Sequence, residues 1–124
     1  MATKISLGAG FLCLSFMVSG ALTAGEVEIL GAQATAQGND EFRFSVTLRH
    51  GDTGWDHYAD AWRVETEGGD ILGTRTLFHP HEDEQPFTRS LNGVSIAGDT
   101  KTVFIRAHDS VHGWTEETVA VPLR

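Results

Sequence analysis

Alternation of apolar and polar residues constrains this chain more than any other feature of its sequence. In EFRFSVTLRH (residues 41–50), Phe42, Phe44, Val46 and Leu48 fall on one face, and the residues between them are polar. A repeat of two places successive side chains on opposite faces of a β-strand, whereas an amphipathic helix needs a repeat near 3.6 residues. The segments after residue 25 show the repeat of two rather than the helical one. The sequence therefore predicts an all-β fold.

Seven segments of this kind are separated by turn sequences such as EGGD (residues 67–70). The predicted strands are residues 27–37, 41–50, 57–66, 71–78, 87–96, 102–108 and 116–123. Seven short antiparallel strands at this spacing are typical of an immunoglobulin-like sandwich, in which two sheets enclose one core. The stretch VFIRAHDSVHGWTEETVAV (residues 103–121) also resembles the last hairpin of a fibronectin type III domain. We expect Trp62 to pack in the core of this sandwich.

The first 24 residues have the composition of a secretory signal peptide. Lys4 precedes the apolar run ISLGAGFLCLSFMV (residues 5–18), and small residues then allow cleavage somewhere between residues 21 and 25. The apolar run is too short for a membrane-spanning helix. We therefore predict a single sandwich domain at residues 25–124, periplasmic or secreted, and not inserted in a membrane after the signal is removed.

Cleavage would change the chemistry that the chain can offer. It removes Cys13, Met1 and Met17, so that no sulfur side chain remains for a disulfide, a thiolate nucleophile or a cuprous site. Loss of Lys4 also takes the formal charge from −8 to −9. An acidic chain of this kind is a poor partner for nucleic acid or anionic membranes, both of which favour Lys and Arg. It attracts cations instead.

The six histidines all fall at one end of the predicted sandwich. They form three pairs, which are His50 with His57, His79 with His81, and His108 with His112. In an antiparallel sandwich, the ends of the second, fourth and sixth strands and the start of the third strand lie at the same end of the molecule. Carboxylates accompany each pair, and Asp56, Glu82 and Asp109 are the further candidate ligands. Imidazole with carboxylate and without sulfur suits Zn²⁺, Cu²⁺, Fe²⁺ or Ni²⁺.

A single surface histidine needs no functional explanation, and HEDE (residues 81–84) taken alone would be a solvated loop. Convergence of all six histidines on one end favours a metal site instead. Six exceed the needs of one tetrahedral ion, so either some of them orient the others or two ions bind.

Two stretches resemble the superoxide reductases of the desulfoferrodoxin and neelaredoxin type. HGDTGWDHYADAWRV (residues 50–64) resembles their H-x5-H-Y-x-x-W-I, and DSVHGW (residues 109–114) resembles their C-N-x-H-G-x-W. That family has an immunoglobulin-like sandwich with iron at one end, bound by four histidines and a cysteine. The resemblance implies that His50, His57 and His112 are metal ligands. Asp109 stands where the family has its cysteine, and the first loop is one residue longer here.

The chain is also similar to small exported bacterial proteins of unassigned function that have an immunoglobulin or fibronectin type III-like fold. This similarity adds no chemistry to the interpretation of the histidines.

Three functions fit these features. The first is an exported protein that binds a divalent transition metal for uptake, buffering or delivery, with a periplasmic or membrane protein as partner. The second is a recognition module that binds a protein or glycan through the same loops, with Trp55, Tyr58 and Trp114 as aromatic contacts. The third is a metal-dependent redox enzyme or hydrolase. Catalysis needs an open coordination position, which no sequence feature indicates, so binding is favoured.

Overall fold

A computed structural model describes residues 26–124 as two antiparallel β-sheets that enclose one apolar core. The predicted signal peptide, residues 1–24, lies outside the described residues, as do the cleavage positions. The strands are β1 (Glu28–Gly38), β2 (Glu41–Arg49), β3 (Ala59–Glu65), β4 (Ile71–Thr76), β5 (Phe87–Ser95), β6 (Thr102–Asp109), β7 (Gly113–Trp114) and β8 (Val119–Pro122). Residues 26–124 contain no helix, and hence none of the length and hydropathy needed to cross a membrane.

The all-β prediction is confirmed, but the described residues form eight strands rather than seven. The additional strand is β7, a two-residue segment in the loop between the last two predicted strands. It returns along the end of β6 and pairs His108 with Trp114 and Asp109 with Gly113. A strand of two residues has no alternation, which explains why the sequence did not reveal it.

Strand order places two of the three chain crossings between the sheets, those after β2 and β4, at one end of the molecule. One sheet has the order β1-β2-β5, and the other has β4-β3-β6, with β7 and β8 both paired to β6. The chain passes between the sheets after β2 and returns after β4. Because neighbouring strands are antiparallel, the end of β6 lies at the same end of the sandwich as these two crossings. We call the three loops there, residues 50–58, 77–86 and 110–112, the histidine pole.

The core is built from the inward residues of facing strands. Phe44 and Leu48 of β2 pack with Trp62 of β3 and Ile105 of β6 in one cluster, and all four are fully buried. Burial of each such side chain contributes about 1.5–3 kcal/mol. Trp62 therefore has the packing role that the alternation of β3 suggested.

The alternation that fills the core also carries polar residues inward at the histidine pole. The inward positions of β2 continue beyond Leu48 to His50, which is 3% exposed. Those of β6 continue beyond Ala107 to Asp109, which is 1% exposed. An imidazole and a carboxylate thus occupy the end of an otherwise apolar interior, one from each sheet.

Candidate metal centre

Three potential ligands converge where the histidine pole meets the core. One ligand atom each from His50, His57 and Asp109 lies within 4.8 Å of the other two. His50 Nε2 is 3.6 Å from Asp109 Oδ2, and His57 Nε2 is 3.4 Å from Asp109 Oδ1. Ligand atoms bound to a tetrahedral Zn²⁺ at 2.0–2.1 Å lie roughly 3.4 Å apart, so both distances suit a shared ion. The two rings also lie close to each other, with centroids 4.8 Å apart.

His50 is oriented by a buried carboxylate on its far side. Its Nδ1 lies 2.5 Å from Asp52 Oδ1, and both side chains are fully buried. In the neutral ring, Nδ1–H donates to Asp52, which directs the lone pair of Nε2 towards Asp109. Carboxylates commonly hold metal-binding histidines in this way, and they fix both the tautomer and the ring angle.

Asp109 is held ionised by the turn that follows it. The backbone N–H groups of Val111 and His112 donate to Oδ1 at 2.8 and 2.6 Å. Burial by itself raises the pKa of Asp109, but these two hydrogen bonds and the His112 side chain outweigh burial and lower the pKa below its usual value. A buried, ionised carboxylate is a suitable cation ligand.

His112 lies at the mouth of the group. Its Nδ1 is 3.2 Å from both oxygens of Asp109, and its ring centroid is 5.0 Å from that of His57. Its side chain is 38% exposed, whereas that of His50 is fully buried. The group therefore opens to solvent on the His112 side.

His79 and His81 form a neighbouring pair on the other side of Asp52. Their ring centroids are 4.7 Å apart. His81 is buried, its backbone N–H donates to Asp52 Oδ2 at 2.7 Å, and its ring stacks on Phe87 at 4.0 Å. Burial lowers the pKa of His81, and the charges of Arg89 and His79 lower it further.

Three other predicted ligands, His108, Asp56 and Glu82, do not belong to the group of ligand atoms that lie within 4.8 Å of one another. His108 lies on the outer face of β6, because the alternation of that strand points it away from Asp109. Its Nδ1 lies 2.5 Å from Asp60 Oδ1, and its ring meets the edge of Trp114 at 4.7 Å. Asp56 and Glu82 are exposed loop residues.

Two residues that matter for this arrangement were not identified from the sequence. Gln85 joins the loops, since its Oε1 accepts the backbone N–H of His50 at 3.0 Å and its Nε2 donates to the carbonyl of His81 at 2.8 Å. Asp60 is the partner of His108. No spacing or composition signal marks Gln85. Regular pairing of β3 with β6 would not have found Asp60 either, because the register shifts between Ala59 and Ala61.

Large apolar side chains surround the histidine pole. Trp55 is 67% exposed and Phe78 is 73% exposed, each in a loop next to a histidine. The ring of Trp55 meets the edge of Tyr58 at 5.6 Å. Exposed apolar side chains mark an interaction site where they form one contiguous patch, whereas single ones are common on protein surfaces.

Comparison with known proteins gave one related sequence and one similar structure to report. A protein of Halomicrobium mukohataei described as "Putative lipoprotein" is 41% identical over 96 residues, which are 77% of this chain and 47% of that protein. The chain thus spans about half the length of this relative. The crystal structure of hypothetical protein PH1083 from Pyrococcus horikoshii OT3 aligns with 80% of this chain and 94% of its own, at a TM-score of 0.47 and 14% identity. No family model matches the sequence.

Proposed function

We propose that this chain is an exported protein that binds a divalent transition metal at the histidine pole. His50, His57 and Asp109 are the proposed ligands, and His112 supplies a further donor at the mouth. The observation that supports this most directly is the approach of three ligand atoms to within 4.8 Å of one another, from segments of both sheets. Two imidazoles and an ionised carboxylate suit Zn²⁺, Cu²⁺ or Fe²⁺.

The proposed role is uptake, buffering or delivery of the metal. The formal charge of −8 raises the local concentration of cations. The description of the Halomicrobium relative as a lipoprotein supports export, to the periplasm or the cell exterior. A periplasmic or membrane protein that exchanges metal with this chain is the partner that such a role requires.

The experiment that tests this proposal is a Zn²⁺ titration of chelator-treated protein, with elemental analysis of protein purified without chelator. His57→Ala and Asp109→Asn should each weaken Zn²⁺ binding at this site by at least tenfold, because each removes a ligand. His108→Ala is the matched control, since His108 lies on the outer face of β6. Equal Zn²⁺ affinity in wild type, His57→Ala and Asp109→Asn would contradict the site.

A redox activity like that of superoxide reductases is a second candidate. The resemblance to that family assigns His50, His57 and His112 as ligands, and all three lie around Asp109. Asp109 replaces the family's cysteine, whose thiolate sets the iron chemistry there, and this argues for binding rather than superoxide reduction. The test is superoxide consumption by the Fe²⁺-loaded protein with an external one-electron donor, which returns the iron to Fe²⁺ after each superoxide is reduced. Turnover that His57→Ala abolishes would favour the enzyme.

A recognition module is the third candidate, favoured by the exposure of Trp55 and Phe78 beside the histidine pole. Its partner would be a protein or glycan held by these aromatic side chains. Trp55→Ala should then reduce partner binding by tenfold or more, and a chelator should leave it unchanged. A chelator that abolishes partner binding would instead place the metal in the interface.

We also propose that the sandwich is of the immunoglobulin or fibronectin III type. With β1 to β6 named A, B, C, C′, E and F, and β8 named G, one sheet is A-B-E and the other is C′-C-F-G. Immunoglobulin domains likewise place A, B and E in one sheet and C, F and G in the other. In such domains, the loops at one end form the binding surface.

A further inference from the structure

The ring of His81 is buried without a hydrogen-bonding partner. The residue is 5% exposed, and within residues 26–124 neither Nδ1 nor Nε2 meets a partner. The nearest carboxylate oxygen, Asp52 Oδ2, is 4.0 Å from Nδ1, too far for a hydrogen bond. A neutral imidazole always has one N–H donor and one acceptor. A buried side chain with both nitrogens unsatisfied needs an explanation, and a water molecule or a bound ion can supply one.

His79 supplies a second imidazole at a suitable distance. The two ring centroids are 4.7 Å apart and the ring planes are inclined by 40°. Two imidazoles bound to one Zn²⁺ through nitrogens at about 2.0–2.1 Å place their centroids roughly 5 Å apart. The centroid separation is therefore close to that of two imidazoles on one ion, and because His79 Nδ1 lies 3.1 Å from the carbonyl oxygen of Pro80, its Nε2 is the nitrogen that would bind. Phe87 stacks on His81 at 4.0 Å and fixes the plane of that ring.

The surroundings of this pair are acidic. A depression of about 430 Å³ is lined by Trp55, the two histidines and the carboxylates of Glu82, Asp83 and Glu84. Glu84 pairs with Arg89 at 3.0 Å, whereas Glu82 and Asp83 line the same depression without an ion pair among the described residues. Arg89 is the cation that faces the pair, and its ion pair with Glu84 offsets part of its charge.

We infer that His79 and His81, together with a carboxylate oxygen of Glu82 or Asp83, form a second site for a divalent transition-metal ion. This site is distinct from the His50–His57–Asp109 group, because the buried carboxylate of Asp52 lies between His50 and His81. The inference goes beyond the proposed function, since either site can be occupied without the other. It predicts two ions for each chain.

The test is to count bound Zn²⁺ by equilibrium dialysis of the full, chelator-treated chain. Wild type should bind two Zn²⁺, whereas His79→Ala and His57→Ala should each bind one. His79 is exposed, so replacing it should leave the fold intact, as circular dichroism will check. His108→Ala is the matched control and should still bind two.

Each outcome separates the two sites. One ion in wild type that His57→Ala removes and His79→Ala retains would overturn the inference and leave the proposed function standing. One ion that His79→Ala alone removes would support the inference and overturn the proposed function. Two Zn²⁺ ions that remain bound in His79→Ala would overturn the inference. No bound Zn²⁺ in wild type would overturn both the inference and the proposed function.

A second measurement uses no substitution at His79 or His81, so its result does not depend on whether such a variant folds. In His57→Ala, which retains the His79–His81 pair, one equivalent of Zn²⁺ should shift the imidazole nitrogen resonances of His81 in an NMR spectrum. Resonances of His81 that stay in place while Zn²⁺ binds would overturn the inference.

Discussion

The buried carboxylate of Asp52 joins three segments of the chain at the histidine pole. It accepts hydrogen bonds from the His50 ring at 2.5 Å, from the backbone N–H of His81 at 2.7 Å and from that of Ala59 at 3.1 Å. These donors come from the first loop, the second loop and the start of β3. One buried carboxylate thus positions a ligand and joins two loops.

Replacement of Asp52 should therefore affect both stability and metal binding. We expect Asp52→Ala to lower the free energy of unfolding by about 2 kcal/mol or more, because it leaves buried donors without an acceptor. Zn²⁺ affinity should fall roughly 10- to 100-fold, as when other carboxylates behind metal-binding histidines are removed. Urea denaturation and Zn²⁺ titration measure the two effects. Asp56→Ala, an exposed change in the same loop, is the control, and an equal effect of both variants would contradict this role.

Single residues also show what the sequence could and could not predict. The alternation of β2 and β6 was visible in the sequence, and it is this alternation that turns His50 and Asp109 inward. The same alternation turns His108 outward, so the assignment of a residue to one end of the sandwich did not establish which face it occupies. Gln85 could not be predicted, because its contacts depend on how two loops fold against each other.

Strands β3 and β6 carry an ion-pair network on the sheet face that points away from the core. Glu65 Oε2 accepts hydrogen bonds from Arg63 Nε at 2.6 Å and from Arg106 Nε at 3.0 Å. The Arg63 guanidinium also lies 3.9 Å from the ring centroid of Trp114. This network joins two central strands and the short β7.

The network should make stability depend on pH in acid. Burial raises the pKa of Glu65, but the hydrogen bonds from Arg63 and Arg106 outweigh burial and lower the pKa below its usual value. The stabilisation is therefore present above the unfolded-state value of about 4.3 and is lost as the pH falls through the lower folded-state pKa.

We expect Glu65→Gln to cost about 1–3 kcal/mol at pH 7, and this deficit should shrink towards pH 3. Urea denaturation of metal-free protein at several pH values measures it. Glu67→Gln, a change in the exposed turn after β3, should alter stability by less than about 0.5 kcal/mol. A deficit for Glu65→Gln that is the same at pH 3 and pH 7 would contradict this assignment.

The proposed metal centre brings ligands from both sheets to one ion. His50 follows β2 of the first sheet, and Asp109 ends β6 of the second. An ion held by these ligands would bind the folded chain and not the unfolded one. A free Zn²⁺ concentration of one hundred times the dissociation constant should therefore raise the free energy of unfolding by about 2.7 kcal/mol. Thermal unfolding with and without Zn²⁺ measures this effect. Asp109→Asn should reduce it and His108→Ala should preserve it, whereas an equal response in both variants would contradict a bridge between the sheets.

Residues 26–124 contain no cysteine and no methionine, so they cannot form a disulfide between the sheets. A metal ion that joins the two sheets would take the place of such a cross-link. Small secreted domains commonly use disulfides to restrict their unfolded chains, and such cross-links persist once formed. A metal ion between His50 and Asp109 would be a cross-link that forms and dissociates with the supply of metal. Cleavage by proteases that attack the transiently opened chain follows the population of that open form. The lifetime of this protein would then report how much free metal surrounds it.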